Sequence, residues 1–439
     1  MSDNKKEYDV LKGLLNGKQV NTLDNEVILS CVAKRSVEEL GDSPRVYVLH
    51  DPCDIRKSYA SDMEDLGKVL SLQKQVVSGY SSFNSVAVVP DNQEVHLLDS
   101  VLYSNGSADY VSQEKVNLIK SAKGAKKVLK DKKGNKIKQK EINLVERDLY
   151  QNGSKIAQNQ IQKSSRLLRE GKADRILSHV LDREYDDESI FDQIDDLGDE
   201  FVIRLKLNRN SQQQEKVYTP TGKLSKKVKY KKLIDKQFAH QTKFIIDKLH
   251  LKGKVYSQVN ALVEWESLQI GHKNYTVVRI GLSCGTKALF DKPMLLLTNR
   301  PIENAQDACQ VYKTYILRFK IEVVFRFLKQ NMGWESFQVR DFNSIKNLLA
   351  LVFFLVGYFK ELEEELSKHP LATFLCSLAL SKGKITIFYL LEGLEKLIAF
   401  QQTIIKMKEN NVSIQEVEEL LEQLNLSKKW LLRSYQKIS

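Results

Sequence analysis

The sequence predicts an α/β chain in which a mixed sheet carries a β-rich insertion and leads into a helical C-terminal region. Three observations point there. Two apolar runs of strand length, residues 46–49 and 175–181, are each followed closely by a carboxylate, Asp51 and Asp182. Residues 315–329 repeat with the period of a helix. Between these features residues 208–290 alternate in strand fashion, and beyond Trp334 nearly every segment follows helical spacing.

Taken in order, residues 1–44 read as short helical pieces with weak apolar periodicity, forming a small N-terminal segment. The first strand occupies residues 45–50 and ends at Asp51-Pro52, since proline lacks the N–H a ladder needs. Strands at 85–89 and 94–103, joined by the turn Pro90-Asp91-Asn92, complete an antiparallel meander. Residues 115–140 then hold eleven lysines and a single acid, Asp131, which fits either a solvated loop or a contact with a phosphate backbone. A helix ending near Gly171, the strand 175–181, a helix over 186–197 and a strand over 200–207 follow. The insertion, residues 208–290, separates this part from a last short strand at 293–297, so the core comprises 45–207 and 291–342. In the helical region 343–439, residues Val417, Leu420, Leu421, Leu424, Leu426 and Trp430 form an apolar stripe suited to local packing or to a second chain.

A chain of 439 residues with 42% hydrophobic content buries a large core, which excludes a disordered protein. Its net charge of +12 favours a polyanionic partner. Residues 2–9 are polar and charged, with no signal peptide, and the most apolar run, residues 348–359, is too short to span a bilayer, so no membrane partner is expected. The five cysteines are odd in number and contain no Cys-x-x-Cys pair, which argues against a disulfide framework or a zinc site and for a reducing cytoplasm.

At helical spacing Tyr315, Arg318, Glu322 and Lys329 share one sector, with Arg326 beside them. Leu317, Ile321, Val324, Phe325 and Leu328 form an apolar stripe opposite. One carboxylate among cations suits a metal held by the acid and a phosphate held by Arg and Lys; a salt-bridged surface face has the same spacing. The order of elements is that of ribonuclease H, in which a mixed sheet brings acids from strand ends and from a later helix into one cleft. Asp51, Asp182 and Glu322 occupy those positions. Three hard oxygen ligands suit Mg²⁺ or Mn²⁺, and a pair of such ions clamps the attacking and leaving oxygens of a phosphodiester displacement.

Four stretches then match a family. Tyr315, Arg318, Glu322 and Lys329 fit a Tyr-x2-Arg-x3-Glu-x6-Lys helix. They are preceded by His50-Asp-Pro-Cys-Asp-Ile-Arg-Lys57, by Asp182-Arg-Glu184 with Phe201-Val-Ile-Arg204, and by Leu295-Leu-Leu-Thr-Asn299. In these the chain resembles the bacterial cut-and-paste DDE transposases of insertion sequences, over roughly residues 40–360. The resemblance implies a ribonuclease H-like, retroviral-integrase-like core with Asp51, Asp182 and Glu322 as catalytic metal ligands. It implies Mg²⁺ or Mn²⁺, two ions, as cofactor, and DNA phosphate contacts by Tyr315, Arg318 and Lys329. Nicking at the transposon end, hairpin formation and opening, and strand transfer into target DNA are the implied steps, with a homodimer holding the ends in a bacterial, nucleoid-associated setting. Where relatives place a Trp that receives an extruded base, this chain has Met294, which can wedge into a stack but offers no π face.

Other side chains near these motifs have structural roles in prospect. Asp54 is expected to order the turn after the first strand, and Asp186 and Asp187 to sit in a helix's first turn. His50, His179 and Trp334 read as packed residues. Only 50 residues precede Asp51, fewer than relatives carry, so recognition of the terminal repeat is expected either in the insertion and C-terminal helices or to be lost by truncation. Two further readings stay open: a nuclease of the same fold without strand transfer, and a DNA-binding protein that keeps the fold but not the activity.

Overall fold

A computed structural model describes residues 15, 23–122, 129–218, 224–251, 254–379 and 386–423. Most of residues 1–22, the middle of the lysine run, the turn at 219–222, and Leu424, Leu426 and Trp430 of the C-terminal stripe lie outside the described residues. The chain divides into two compact units, Met1–Phe354 and Leu355–Ser439.

The first unit begins with α1 (Asn25–Glu39), capped by Asp24, whose carboxylate accepts from the Glu26 N–H. Strands β1 (Arg45–Arg56), β2 (Gly67–Leu70), β3 (Val76–Val88) and β4 (Val95–Tyr103) follow. Helices α2 (Gln113–Ser121) and α3 (Gln139–Glu146) then precede the long amphipathic α4 (Gly153–Gly171), started by Asn152, which accepts from the Lys155 N–H. Next come β5 (Ile176–Leu181), α5 (Glu188–Asp196) and β6 (Glu200–Arg204). The insertion supplies β7 (Asn210–Tyr218), β8 (Leu224–Lys232), β9 (His240–Leu251), β10 (Lys254–Ile270), β11 (Lys273–Cys284) and β12 (Lys287–Ala288). After it stand β13 (Met294–Thr298), α6 (Ala305–Ile316), α7 (Phe319–Gln330) and the start of α8 (Phe342–Ser367), whose residues from Leu355 on belong to the second unit.

Among the described residues eleven strands form one mixed sheet. Along it run β4, β3, β1, β5, β6, β13, β11, β10 and β9, with β2 against the start of β3 and β12 against β11. β1, β5 and β6 are parallel to one another, and all other pairings are antiparallel. β7 and β8 make a separate hairpin. Because helices cover the central strands, those strands are buried along nearly their whole length instead of alternating, as the runs in β5 and β13 show. One apolar cluster joins Ile156 and Ile161 of α4, Phe191 and Ile194 of α5, Phe201 of β6, Val277 of β11 and Leu295 of β13. The aromatic rings of Phe191, Phe201 and Tyr275 pack together with centroids 5.5 to 6.0 Å apart, tying the insertion to the central sheet.

Several expectations are corrected. β3 begins at Val76, well before residue 85, and β2 escaped the sequence reading because its four residues alternate buried and exposed over too short a run. β1 does not end at Asp51; it continues to Arg56, held by β3. The helix expected over 315–329 is two helices, joined at Leu317 and Arg318 by a turn tightened to i to i+3 hydrogen bonds. Asp187 caps α5 and Asp186 precedes it, buried against the Lys206 N–H and Arg209. The apolar stretch near 348 is also longer than it looked. In α8 the window Phe342–Phe359, mean hydropathy 1.5, is long and apolar enough by length and composition to cross a bilayer, although Ile345, Leu349, Ala350 and Phe353 are buried.

In the second unit α9 (Ala372–Leu378), α10 (Ile387–Glu409) and α11 (Ile414–Gln423) are described. Leu375 and Cys376 of α9 pack on Leu390 of α10. A Cβ at Gly393 would lie 2.0 Å from the Leu375 carbonyl oxygen, so only glycine permits this close crossing.

Candidate active site

The parallel ladder between β1 and β5 runs from Arg45 opposite Ile176 to Leu49 opposite Val180, and stops. Beyond it β1 is paired, among the described residues, on one side only, with β3. Pro52 falls in this one-sided stretch, where a strand tolerates a residue without an N–H. Asp51 and Asp182 each lie two residues past the last ladder pair, so the register brings both acids to the same end of neighbouring strands. Asp182 starts a single 3₁₀ turn by accepting from the Arg183 N–H at 2.7 Å.

The junction between α6 and α7 aims the third group at them. Tyr315, in the last turn of α6, is fully buried and donates its hydroxyl to Asp182 Oδ1 at 3.3 Å. Arg318 donates from Nη1 to Asp51 Oδ1 at 2.8 Å and from Nη2 to Glu322 Oε1 at 2.9 Å. Glu322, in the first turn of α7, is placed favourably for the helix dipole, whereas Arg318 at the same helix start is held there by the two carboxylates. Arg318 Nε is buried with no hydrogen-bond partner among the described residues.

Burial pushes the Asp51 carboxyl up; Arg318 opposes this, and the nearby Asp182 and Glu322 charges add to the rise, bringing it to about 7. For Arg318, burial disfavours the charge, but Asp51 and then Tyr315, Asp182 and Glu322 outweigh it and raise its value. The three carboxylates are thus near enough to repel, and Arg318 is the cation that relieves them. Among the described residues no three His, Cys, Asp or Glu side chains are drawn close enough to hold a metal ion. The donor chemistry nonetheless fits a hard divalent cation: three carboxylates with a shared deficit of positive charge, no nitrogen or sulfur donor among them, and a guanidinium standing where a cation belongs.

The remaining residues singled out in the sequence lie around this cluster. Lys329 Nζ donates to the Asp54 carbonyl oxygen at 2.6 Å and pairs with Glu335 at 3.1 Å. Asp54 lies within β1, where it accepts from the Leu70 N–H and the Ser81 hydroxyl. Arg326 is exposed on α7. Met294, half-buried, is the first residue of β13, two positions before the Leu296–Arg204 pair, and so stands at the acid end of the sheet. A cavity of about 630 Å³ opens beside the cluster, lined by Asp54, Arg56, Lys68, Tyr103, Glu184 and Lys329 among others. Sequence reasoning missed Glu335 and the role of Arg204, whose charge at the end of β6 bears on the Tyr315 hydroxyl. Glu335 follows the helix without periodic signal; Arg204 was visible as the end of a matching stretch.

Behind the acids a buried polar chain crosses the sheet. Ser85 Oγ lies 2.8 Å from His50 Nδ1, His50 Nε2 lies 2.9 Å from His179 Nδ1, and His179 Nε2 lies 3.1 Å from Asp199 Oδ2. Asp199 also accepts from Ser165 and pairs with Arg169. Burial and the neighbouring His179 hold His50 well below the usual imidazole range, so it is neutral. Both histidines are fully buried, as expected of packed residues, and here they also cross-link β1, β5 and α4. Trp334 is buried as well.

Residues 112–356, more than half of the chain, match the family described as Transposase DDE domain, and the chain belongs to that family. Membership implies a ribonuclease H-like fold, with which the order β4, β3, β1, β5, β6 agrees, and an enzyme of the nuclease and transposase kind that binds DNA and uses divalent metal. The matched residues include Asp182 and Glu322 and begin downstream of Asp51, whose place in the site rests on the register and on its contact with Arg318. No curated protein matches the chain.

Proposed function

We propose that the chain is the transposase of an insertion sequence, excising the element at its terminal inverted repeats and joining it to target DNA as a homodimer. The observation that supports this above all is that Arg318 bonds Asp51 and Glu322, from a strand and a helix, while Tyr315, three residues before it, bonds Asp182 at the end of the neighbouring strand. These carboxylates would hold Mg²⁺ or Mn²⁺, two ions, which when bound polarise the scissile phosphate and stabilise the entering and leaving oxygens. Asp182 Oδ1 is oriented by the Tyr315 hydroxyl and the Arg183 N–H, and its second oxygen would be the one to take a metal ion. Arg318, drawn from the carboxylates, supplies a planar fork to a phosphate, and Lys329 a point charge at the rim. Each step exchanges one phosphorus–oxygen bond for another: water enters in nicking, and the freed 3′-hydroxyl enters in hairpin formation and strand transfer. Met294, at the acid end of β13, serves as the wedge where a base leaves the stack.

The test is Mg²⁺-dependent cleavage of a duplex carrying the element's own flanking inverted repeat, comparing wild type with Asp182→Asn. Cleavage and joined products in the first and neither in the second support the proposal. Cleavage without joining would mean a nuclease; a folded, DNA-binding but inert wild type would mean a fold retained without activity.

A further inference from the structure

The lysine-rich stretch after β4 is built as a small lobe with its own core. Val111, Val116, Ile119, Ile137, Val145 and Tyr150 pack together beneath α2 and α3. Between the helices a tight turn is closed by the Lys130–Lys136 bridge, with Asp131 accepting from the Lys133 and Asn135 N–H groups at 3.0 and 2.9 Å. Gly134, at φ +82°, takes the left-handed position that this turn requires.

Three acids that lie beside the lysines of the turn are occupied in ways that do not neutralise them. Asp131 is committed to the turn, Glu114 accepts from the Lys132 N–H at 3.0 Å, and Glu141 takes the Lys115 ammonium at 2.8 Å and the Lys138 N–H at 3.0 Å. Lys130, Lys132, Lys133, Lys136, Lys138 and Lys140 are exposed, and none has an ion pair among the described residues. Six like charges within eleven residues on an ordered frame repel one another, a cost that a polyanion removes. The register also fixes where the lobe starts. Asp54 of β1 stands opposite Ser81 of β3, which stands opposite Tyr103, the last residue of β4. The lobe therefore leaves the sheet at the acid end, two strands from β1, or about 10 Å at ordinary strand spacing.

We infer that this lobe is a second, sequence-independent DNA contact that grips the phosphate backbone of duplex flanking the scissile bond. A duplex carries about one charge per 1.7 Å of axis, so one seated at the acids offers phosphates to the lobe without bending. The inference rests on the DNA-processing reading of the acid cluster.

The experiment uses the full chain with Lys132→Gln, Lys133→Gln and Lys136→Gln combined, changes that leave the backbone caps of the turn in place. A control carries Lys34→Gln and Arg166→Gln on α1 and α4, also exposed. Binding to a random-sequence duplex of about 30 base pairs is followed against salt, where each lost phosphate contact flattens the log–log slope by about 0.9. A slope flatter by about 2 to 3 in the first variant, with the control like wild type, is the expected result. An unchanged slope in the first variant, or an equal loss in the control, overturns the inference while leaving wild-type cleavage to speak for the acid cluster. A wild type that binds no duplex overturns both.

Discussion

Arg318 meets Asp51 as a guanidinium on a carboxylate at 2.8 Å, at the point where the acids would bind a divalent ion. Metal and arginine therefore compete for one charge deficit. Replacing Arg318 with Gln removes the competitor, so Mn²⁺ titrated into the DNA-free protein should bind several-fold more tightly than in wild type, while cleavage of DNA falls. Unchanged Mn²⁺ affinity by calorimetry would show that Arg318 does not contest the metal position.

The Asp51 carboxyl, pushed up to about 7 from an ordinary 3.8, makes stability depend on pH in a defined sense. Between those values the folded chain holds a proton that the unfolded chain has released, so stability declines as pH rises through the interval and is lowest above it. Asp51→Asn cannot ionise and should gain about 1–3 kcal/mol relative to wild type at pH 8, with little gain at pH 4. Thermal melts at the two pH values decide the matter; parallel shifts at both would refute the assignment.

Asp199 carries the opposite sign. Burial raises its carboxyl, but hydrogen bonds from His179 and Ser165 and the Arg169 charge outweigh burial and hold it below 3.8. Its contribution is complete above 3.8 and fades as pH falls through the lower folded value. Asp199→Asn should cost about 2–4 kcal/mol at neutral pH, because it strands Arg169 and the histidine chain. In acid the gap to wild type should close, and denaturant midpoints that keep the same separation at every pH would count against this chain.

Glu322 is half-exposed and its contact with Arg318 is within one helix turn. Glu322→Gln should therefore abolish cleavage, keep DNA binding and leave the melting temperature within a degree or two of wild type. Near-normal nicking would remove Glu322 from the site.

Phe191 stacks on Phe201 and meets Tyr275 edge-on, with no exposed surface. Phe191→Ala should destabilise by about 3–5 kcal/mol through lost burial and an unfilled cavity. A midpoint of urea unfolding that hardly moves would mean that the surrounding rings collapse into the space.

The central strands and the acid, cation and aromatic motifs were legible because each repeats a short-range signal: an apolar run of strand length, or spacing by three, four and seven. What was hidden depends on register. Nothing local says that β1 outlasts its parallel ladder and carries Asp51 in mid-strand, since that follows from where β5 ends. The break at Leu317 and Arg318 also lacks a Gly or Pro to announce it. Glu335 pairs with Lys329 across a loop, and the link from His50 to His179 spans 129 positions; pairings of that separation leave no trace in periodicity.

The antiparallel strand β13 has a partner on each side, β6 within the core and β11 within the insertion. Residues 208–290 are therefore not an ornament that could be lost and regained freely. A shortened chain without them would leave Met294-Leu-Leu-Leu-Thr298 as an open, apolar sheet margin, inviting self-association before any question of chemistry arose. The insertion thus acts as a cover for the sheet margin as well as an addition to the chain.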